Sequence, residues 1–209
     1  MKITKLEHSG IIIEKDENKI VFDPVEFKEK IPRLEKVVAI IVTHKHGDHL
    51  QPEIIARVRH DNPSAKVFIT SDAALLIEDA TVVNNGDSFE VGGFKLDFFG
   101  ENHAAIVPGQ IPCENIGVVI DDSVVNPGDS FDWPYVETNV LFVAIAAPWL
   151  KIAESMNYVE SVKPKIVIPV HNALLSEFGE SVNGSWMKEV CNLIGAEYRA
   201  LVPGESVMV

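Results

Sequence analysis

Cysteine is scarce in this chain. Only Cys113 and Cys191 occur, far apart and without CxxC spacing. A disulfide framework is therefore excluded, and both thiols read as reduced and partly buried. Long apolar runs are also missing: none approaches the roughly 18 residues that a membrane span needs. The stretch Met1–Glu7 alternates like a strand and lacks a signal-peptide core, so a cytoplasmic location is expected by default. Positive charge is in short supply too. Against 31 Asp and Glu stand 18 Lys and Arg, a net charge of −13, and no basic cluster offsets it. Such a surface repels phosphate backbones and argues against nucleic-acid binding. There is no internal repeat and no low-complexity tract.

What remains is ordinary in composition, with 46% apolar and 23% charged residues over 209 positions. One domain spanning residues 1–209, with a sizeable core, is expected. Strands are read at 2–7, 10–14, 19–22 and 37–42, with turn residues Asp16-Glu17-Asn18 between the second and third. A helix starts near Pro52, a favoured first-turn residue, and runs to His60. Strand 66–69 follows, and Ser71 reads as the N-cap of a helix over 72–79. Short strands at 81–83, 88–91 and 94–99 come next, with Gly92-Gly93 as a hairpin turn. A second hairpin pairs 116–120 with 123–126. Strand 140–145 precedes a helix over 149–162, and strand 165–170 precedes a helix over 183–194. Strands at 198–201 and 206–208 end the chain. Two halves of strands followed by helices suggest two packed sheets with helices outside.

The chemistry concentrates in Thr43-His44-Lys45-His46-Gly47-Asp48-His49, directly after the apolar run Val37–Val42. Three imidazoles and a carboxylate within six residues can hardly point to separate places, and His and Asp are usual ligands of Zn²⁺ and related cations. Three further strand ends each carry one candidate ligand. His103 follows Phe94–Phe99, Asp129 lies in Asn126-Pro127-Gly128-Asp129-Ser130, and His171 follows Lys165–Val170. A lone histidine is more often an ordinary surface or core residue, and His60 is read that way.

These residues, in this order, resemble the metallo-β-lactamase superfamily, whose mark is HxHxDH followed by separate His, Asp and His ligands. The match runs from Asp23-Pro24 to His171. Leu6-Glu7-His8-Ser9-Gly10 and the Asn-Pro-Gly-Asp-Ser segment are similar to its small, stand-alone metal-dependent hydrolases. That branch includes ascorbate-phosphate lactonase-like proteins and relatives acting on phospholipids. The resemblance implies an α/β fold, a four-layer αββα sandwich, with a dinuclear site at one edge of the sheets. It implies that His44, His46 and His103 hold a first divalent metal ion. Asp48, His49 and His171 would hold a second, with Asp129 bridging. Zn²⁺ is the first expectation, and Mn or Fe is compatible with the same ligands. A hydroxide bridging the two metals would then cleave an ester, lactone or similar bond in a small-molecule substrate, with Asp48 and Asp129 as the catalytic carboxylates.

Other readings stay open on the residues alone. They are a phosphodiesterase acting on phospholipids or cyclic nucleotides, a di-iron redox protein, and a metal-bound sensing module without turnover. β-Lactamase activity is not expected, because fold does not fix function. The sequence leaves the oligomeric state unassigned. Asp23 could accept a hydrogen bond from a ligand imidazole or a loop amide, or simply form an Asp-Pro turn. His8 could face the site or be an ordinary strand-end histidine. Asn172 could bind a substrate oxygen or cap the next helix. Trp133 and Trp149 read as packing residues, and Cys113 has no evident partner base. The apolar stretch Ala104–Pro112, with Pro108-Gly109 in its middle, reads as a loop. It either lines the cleft or packs on the body of the domain.

Overall fold

The computed structural model describes residues 1–209. Fourteen strands and three α-helices follow one another. In the first half these are β1 (Lys2–Lys5), β2 (Ile11–Lys15), β3 (Asn18–Phe22), β4 (Val37–Ile41), α1 (Pro52–Asp61), β5 (Lys66–Ile69) and β6 (Thr81–Val82). Then come β7 (Ser88–Val91), β8 (Phe94–Phe99), β9 (Gly117–Ile120), β10 (Val124–Asn126), β11 (Val140–Ala144) and α2 (Ile152–Val162). The chain closes with β12 (Ile166–Val170), α3 (Glu177–Ile194), β13 (Glu197–Tyr198) and β14 (Ser206–Met208). Two seven-stranded sheets result. One has the order β14-β1-β2-β3-β4-β5-β6, the other β13-β12-β11-β10-β9-β8-β7.

Each sheet is antiparallel on one side and parallel on the other. Tight hairpins join β1 to β2, β2 to β3, β7 to β8 and β9 to β10, whereas β3 to β6 and β10 to β13 run parallel. Parallel strands need crossovers: α1 supplies the one from β4 to β5, α2 that from β11 to β12 and α3 that from β12 to β13, and loops carry the others. Strand β4 shows why its sequence is apolar throughout. Ala39 and Ile41 face the 22-residue core between the sheets, while Val37 and Ile40 face a second core under α1. Ile54, Ile55 and Val58 of α1 complete that second core. Burying each of these three contributes about 1.5–3 kcal/mol. Tyr158, Val159 and Val162 of α2 pack with Met187, Val190 and Cys191 of α3 on the far side of the other sheet. The layers are therefore helix, sheet, sheet, helices, as the αββα expectation required.

Three expectations need correction. First, the helix over 72–79 is only a 3₁₀ turn at Ala74–Leu76. Ser71, read as its cap, donates its hydroxyl to the Glu114 carboxylate instead. Leu75 and Leu76 face solvent, so no second apolar turn exists to stabilise a longer helix. Second, α3 begins six residues early, capped by Ser176, whose hydroxyl accepts from the Gly179 amide. Gly179 and Gly184 weaken the sequence signal there. Gly184 lies against Tyr198, where an added Cβ would sit 3.3 Å from the phenol oxygen. Third, the two halves are not separate in sequence: β14 pairs antiparallel with β1 and so belongs to the first sheet. No helix is long and apolar enough to cross a membrane.

Candidate metal centre

The histidine-rich side chains meet at one edge of the two sheets, each delivered by the turn after a strand. His8 follows β1, Asp23 follows β3, and His44 to His49 follow β4. His103, Asp129 and His171 follow β8, β10 and β12. The backbone there is bent rather than regular. His8, Asp23 and His171 adopt positive φ of 53°, 41° and 59°, uncommon for residues with a Cβ. Gly128 also has positive φ, and a Cβ there would meet the Asn115 side-chain oxygen at 2.4 Å. Asn115 in turn accepts from the Asp129 amide and donates to the Pro127 carbonyl. The Asn-Pro-Gly-Asp-Ser segment is thus shaped to aim Asp129.

Three groups of possible ligand atoms converge, each within 4.8 Å: His44, His46 and His103; His8, Asp48, His49 and His171; and His44, His49 and Asp129. Asp129 lies between the first two. Its carboxylate oxygens are 3.3 Å from His103 Nε2, 3.0 Å from His171 Nε2 and 3.4 Å from His49 Nε2. The structure therefore brings together all seven residues named from the sequence.

The hydrogen bonds fix which ring nitrogen each imidazole offers. His103 Nδ1 donates to the Ala104 carbonyl (2.5 Å) and His171 Nδ1 to the Ala146 carbonyl (2.6 Å). His49 Nδ1 donates to Asp23 Oδ2 at 2.7 Å. His44 Nδ1 donates to Thr43 Oγ1 at 3.0 Å, since the hydroxyl proton is committed to Asp23. Carbonyls and carboxylates only accept, so each of these rings carries a proton on Nδ1, and Nε2 is the nitrogen it turns inward. The buried Nε2 atoms of His44, His49 and His103 make no well-formed hydrogen bond, those of His49 and His103 having only the Asp129 carboxylate nearby. Unpartnered buried nitrogens are costly. Facing one another around a carboxylate, they fit divalent cations well, and each has the outer hydrogen bond that metal-binding imidazoles usually make.

The electrostatics follow from crowding. Burial pushes His44 well below the usual imidazole range, helped by the neighbouring His49 and His103 rings. His46 is lowered by burial and then by His103, and burial takes His8 down to about 4. His49 goes the other way. Burial opposes its charge, but Asp129, Asp23 and Asp48 outweigh burial and lift it to about 9. For Asp48 and Asp129, burial opposes ionisation and the surrounding imidazoles overcome it, so both carboxyls lie well below their usual range. Without cations the cluster is thus an ion-pair network centred on His49. Binding a cation would displace its extra proton.

Several neighbours were missed or left open by the sequence. Trp149, read as packing, donates its indole N–H to Asp129 Oδ2 at 3.0 Å. Helix α2 starts at Ile152, not at 149: Lys151 is its extended N-cap, and the Glu154 carboxylate accepts from the Lys151 backbone amide at 2.6 Å. Trp149 therefore stays in the loop after β11, at the same sheet edge as the clustered histidines. That position was the available signal. Thr43 immediately precedes the motif and links Asp23 to His44. Cys113 Sγ lies 3.6 Å from His46 Nε2, and burial raises its thiol, so it is protonated. Asn172 donates to Glu180 on α3 at 2.6 Å. It is therefore tied to the helix, although Ser176 is the cap. Trp133 packs on Tyr135, away from the cluster.

A cleft of about 180 Å³ opens beside His46 and His103, walled by Ala104, Ile106, Val107 and Ile111. The stretch 104–112 therefore lines the cleft; Ile106, Val107 and Ile111 are exposed and do not join the core. A larger cleft of about 910 Å³, lined by Phe131, Trp133 and Tyr135, contains none of the clustered histidines. The chemistry of the donor set, not cleft size, locates the site.

The sequence is 31% identical over 182 residues to the Mycobacterium tuberculosis protein Rv0786c, covering 84% of this chain and 86% of that one. It is 25% identical, over the whole of both chains, to a UPF0173 metal-dependent hydrolase of Carboxydothermus hydrogenoformans. The fold is shared with Igni18, a metallo hydrolase from the archaeon Ignicoccus hospitalis. That likeness has a TM-score of 0.75 at 19% identity, over 99% of this chain and 97% of the other. The sequence profile of the Beta-lactamase superfamily domain matches residues 2–171, from β1 to the last clustered histidine, and the chain belongs to that family.

Proposed function

We propose that the chain is a metal-dependent hydrolase whose site takes two divalent ions, with Zn²⁺ first among the candidates. His44, His46 and His103 would hold one ion, Asp48, His49 and His171 the other, and Asp129 would reach both. The observation that carries this reading is the convergence of buried, unpartnered Nε2 atoms on Asp129. The relatives called metal-dependent hydrolases support the same class. Bound in such a pair, divalent ions supply a water activated at neutral pH and polarise the substrate oxygen that gains charge.

The chain's own residues do the rest. Asp129 sets negative charge between the two sets of imidazoles, and Trp149 holds one of its oxygens. Asp23 keeps the His49 proton on Nδ1, leaving Nε2 free. Ile106, Val107 and Ile111 line the apolar mouth that receives substrate. No Lys or Arg lines that mouth. An ester or lactone with an apolar body fits that wall, and the charge developing on its carbonyl oxygen would be met by the metal ions rather than by a side chain.

The test is metal analysis of the purified, supplemented protein, followed by lactones, esters, thioesters and phosphodiesters as substrates. About two ions per chain and turnover of a lactone or ester are expected. At most one tightly bound ion, or turnover of phosphodiesters alone, would count against the reading.

A further inference from the structure

The four residues His8, Asp48, His49 and His171 share one end of the cluster. By proximity alone, His8 would pass for one more ligand there. Its ring contacts that of His171, with centroids 3.9 Å apart, and its buried Nε2 faces Asp48 Oδ2 at 3.4 Å. Its hydrogen bonding says otherwise. The backbone N–H of Ala173 donates to His8 Nδ1 at 3.2 Å. An amide N–H cannot accept, so Nδ1 carries the lone pair and the proton of the neutral ring sits on Nε2. This is the reverse of His44, His49, His103 and His171, whose Nδ1 atoms all face acceptors. For His8 Nε2 to bind a cation, the ring proton would have to move to Nδ1 and point at the Ala173 N–H.

We propose that His8 is a fixed-tautomer donor whose Nε2–H holds the Asp48 carboxylate in place at the second ion, and that His8 is not itself a metal ligand. It is a positioning residue, and the inference rests on the two-ion reading above. A carboxylate that gives one oxygen to a cation keeps lone pairs for a donor, and such outer partners fix ligand orientation. The 3.4 Å separation needs to close by only a few tenths of an ångström to become an ordinary hydrogen bond.

The surrounding turn is built to keep this aim. His8 adopts φ 53°. Its carbonyl accepts from the buried Lys5 Nζ and from the His171 amide. Lys5 also donates to the Leu6 carbonyl at 2.7 Å. Gly10 closes the turn where an added Cβ would meet Leu6 Cβ at 2.8 Å and the Glu7 carbonyl at 2.9 Å. An imidazole held from its backbone, from Nδ1 and from the ring face has little freedom to change partner.

Nitrogen-15 NMR of the whole protein with labelled histidine tests this directly, with and without Zn²⁺. His8, assigned by its loss in His8→Leu, is expected to show Nε2 protonated and Nδ1 unprotonated in both states. A proton on Nδ1 in the metal-free protein, or a zinc-coordinated Nε2 after loading, overturns the inference. Zinc titration gives the second arm. His8→Leu should weaken one of two binding events by roughly 10–100-fold and spare the other. His8→Gln keeps an N–H donor and should recover most of the loss. Two unchanged binding events in His8→Leu overturn the inference. If that variant does not fold, the tautomer of the wild type decides, with His8→Gln supplying the assignment. Failure of the two-ion reading is seen separately, as a wild type that takes up fewer than two ions.

Discussion

The two ends of the cluster are built differently. At one end His46, only half-buried, and His103 face the apolar cleft under residues 104–112. At the other, His8, His49 and His171 are almost wholly buried, with Asp23 and Lys5 packed behind them and only Asp48 partly exposed. The open end has few hydrogen bonds: His46 has just a thiol 3.6 Å away. At the closed end every imidazole has an Nδ1 partner: the Ala173 amide for His8, Asp23 for His49 and the Ala146 carbonyl for His171. This difference suggests a division of labour, with access and substrate contact at one end and rigid holding of a cation at the other. Preorganisation of this kind is most useful where a ligand set must not relax.

Asp129 spans both ends, so its replacement should have the largest effect. Asp129→Asn keeps the shape and the contact to the Trp149 indole but loses the charge between the imidazoles. Elemental analysis should find both ions depleted, much as in Asp129→Ala, and hydrolysis lowered at least about a hundredfold. Wild-type metal content in the Asn variant would break the idea that one carboxylate serves both ends.

Lys5 tests the closed end alone. Burial lowers its pKa to about 7, against the pull of Glu180 and Glu7. In the unfolded chain it titrates near 10.5. Between these values the unfolded chain binds a proton that the folded chain does not, so stability rises with pH. The contribution is fully present above about 10.5 and is lost as the pH falls to about 7. From pH 7 to pH 9 the wild type should therefore gain about 2 kcal/mol relative to Lys5→Met. Urea denaturation at both pH values measures the difference. Equal slopes would show that Lys5 is not desolvated as described.

Legibility in the sequence followed the same division. The motif from His44 to His49 is contiguous, so one loop announces most of the proposed ligands. His103, Asp129 and His171 were found because each follows a β-branched or aromatic strand run. The sheets were readable for the same reason, since period and turn residues are local. What could not be read depends on contacts across the fold. Trp149 reaches Asp129 only because α2 starts late, and Ser71 fails as a helix cap because Glu114, distant in sequence, takes its hydroxyl. The tautomer of His8 is set by an amide 165 residues away. The pairing of β14 with β1 joins the chain's two ends by backbone bonds that leave no local signature.

The smallest expected effect concerns the open end, and it separates wall from core. Ile106 is 44% exposed, so an aspartate there gives up little folding energy. It would instead put an anion into the apolar mouth beside His46 and His103. Losing one apolar contact to a small substrate is worth roughly 1–3 kcal/mol. Ile106→Asp should thus raise KM about tenfold with metal content unchanged and melting temperature close to that of the wild type. Leu75→Asp is the matched control: Leu75 is 88% exposed, lies on the 3₁₀ turn and is no part of the cleft wall. It should leave KM, metal and melting temperature alone. If Ile106→Asp instead melts early with no selective change in KM, the stretch 104–112 supports the domain rather than the substrate. The open end would then owe its apolar lining to folding, and the contrast between the two ends would rest on burial alone.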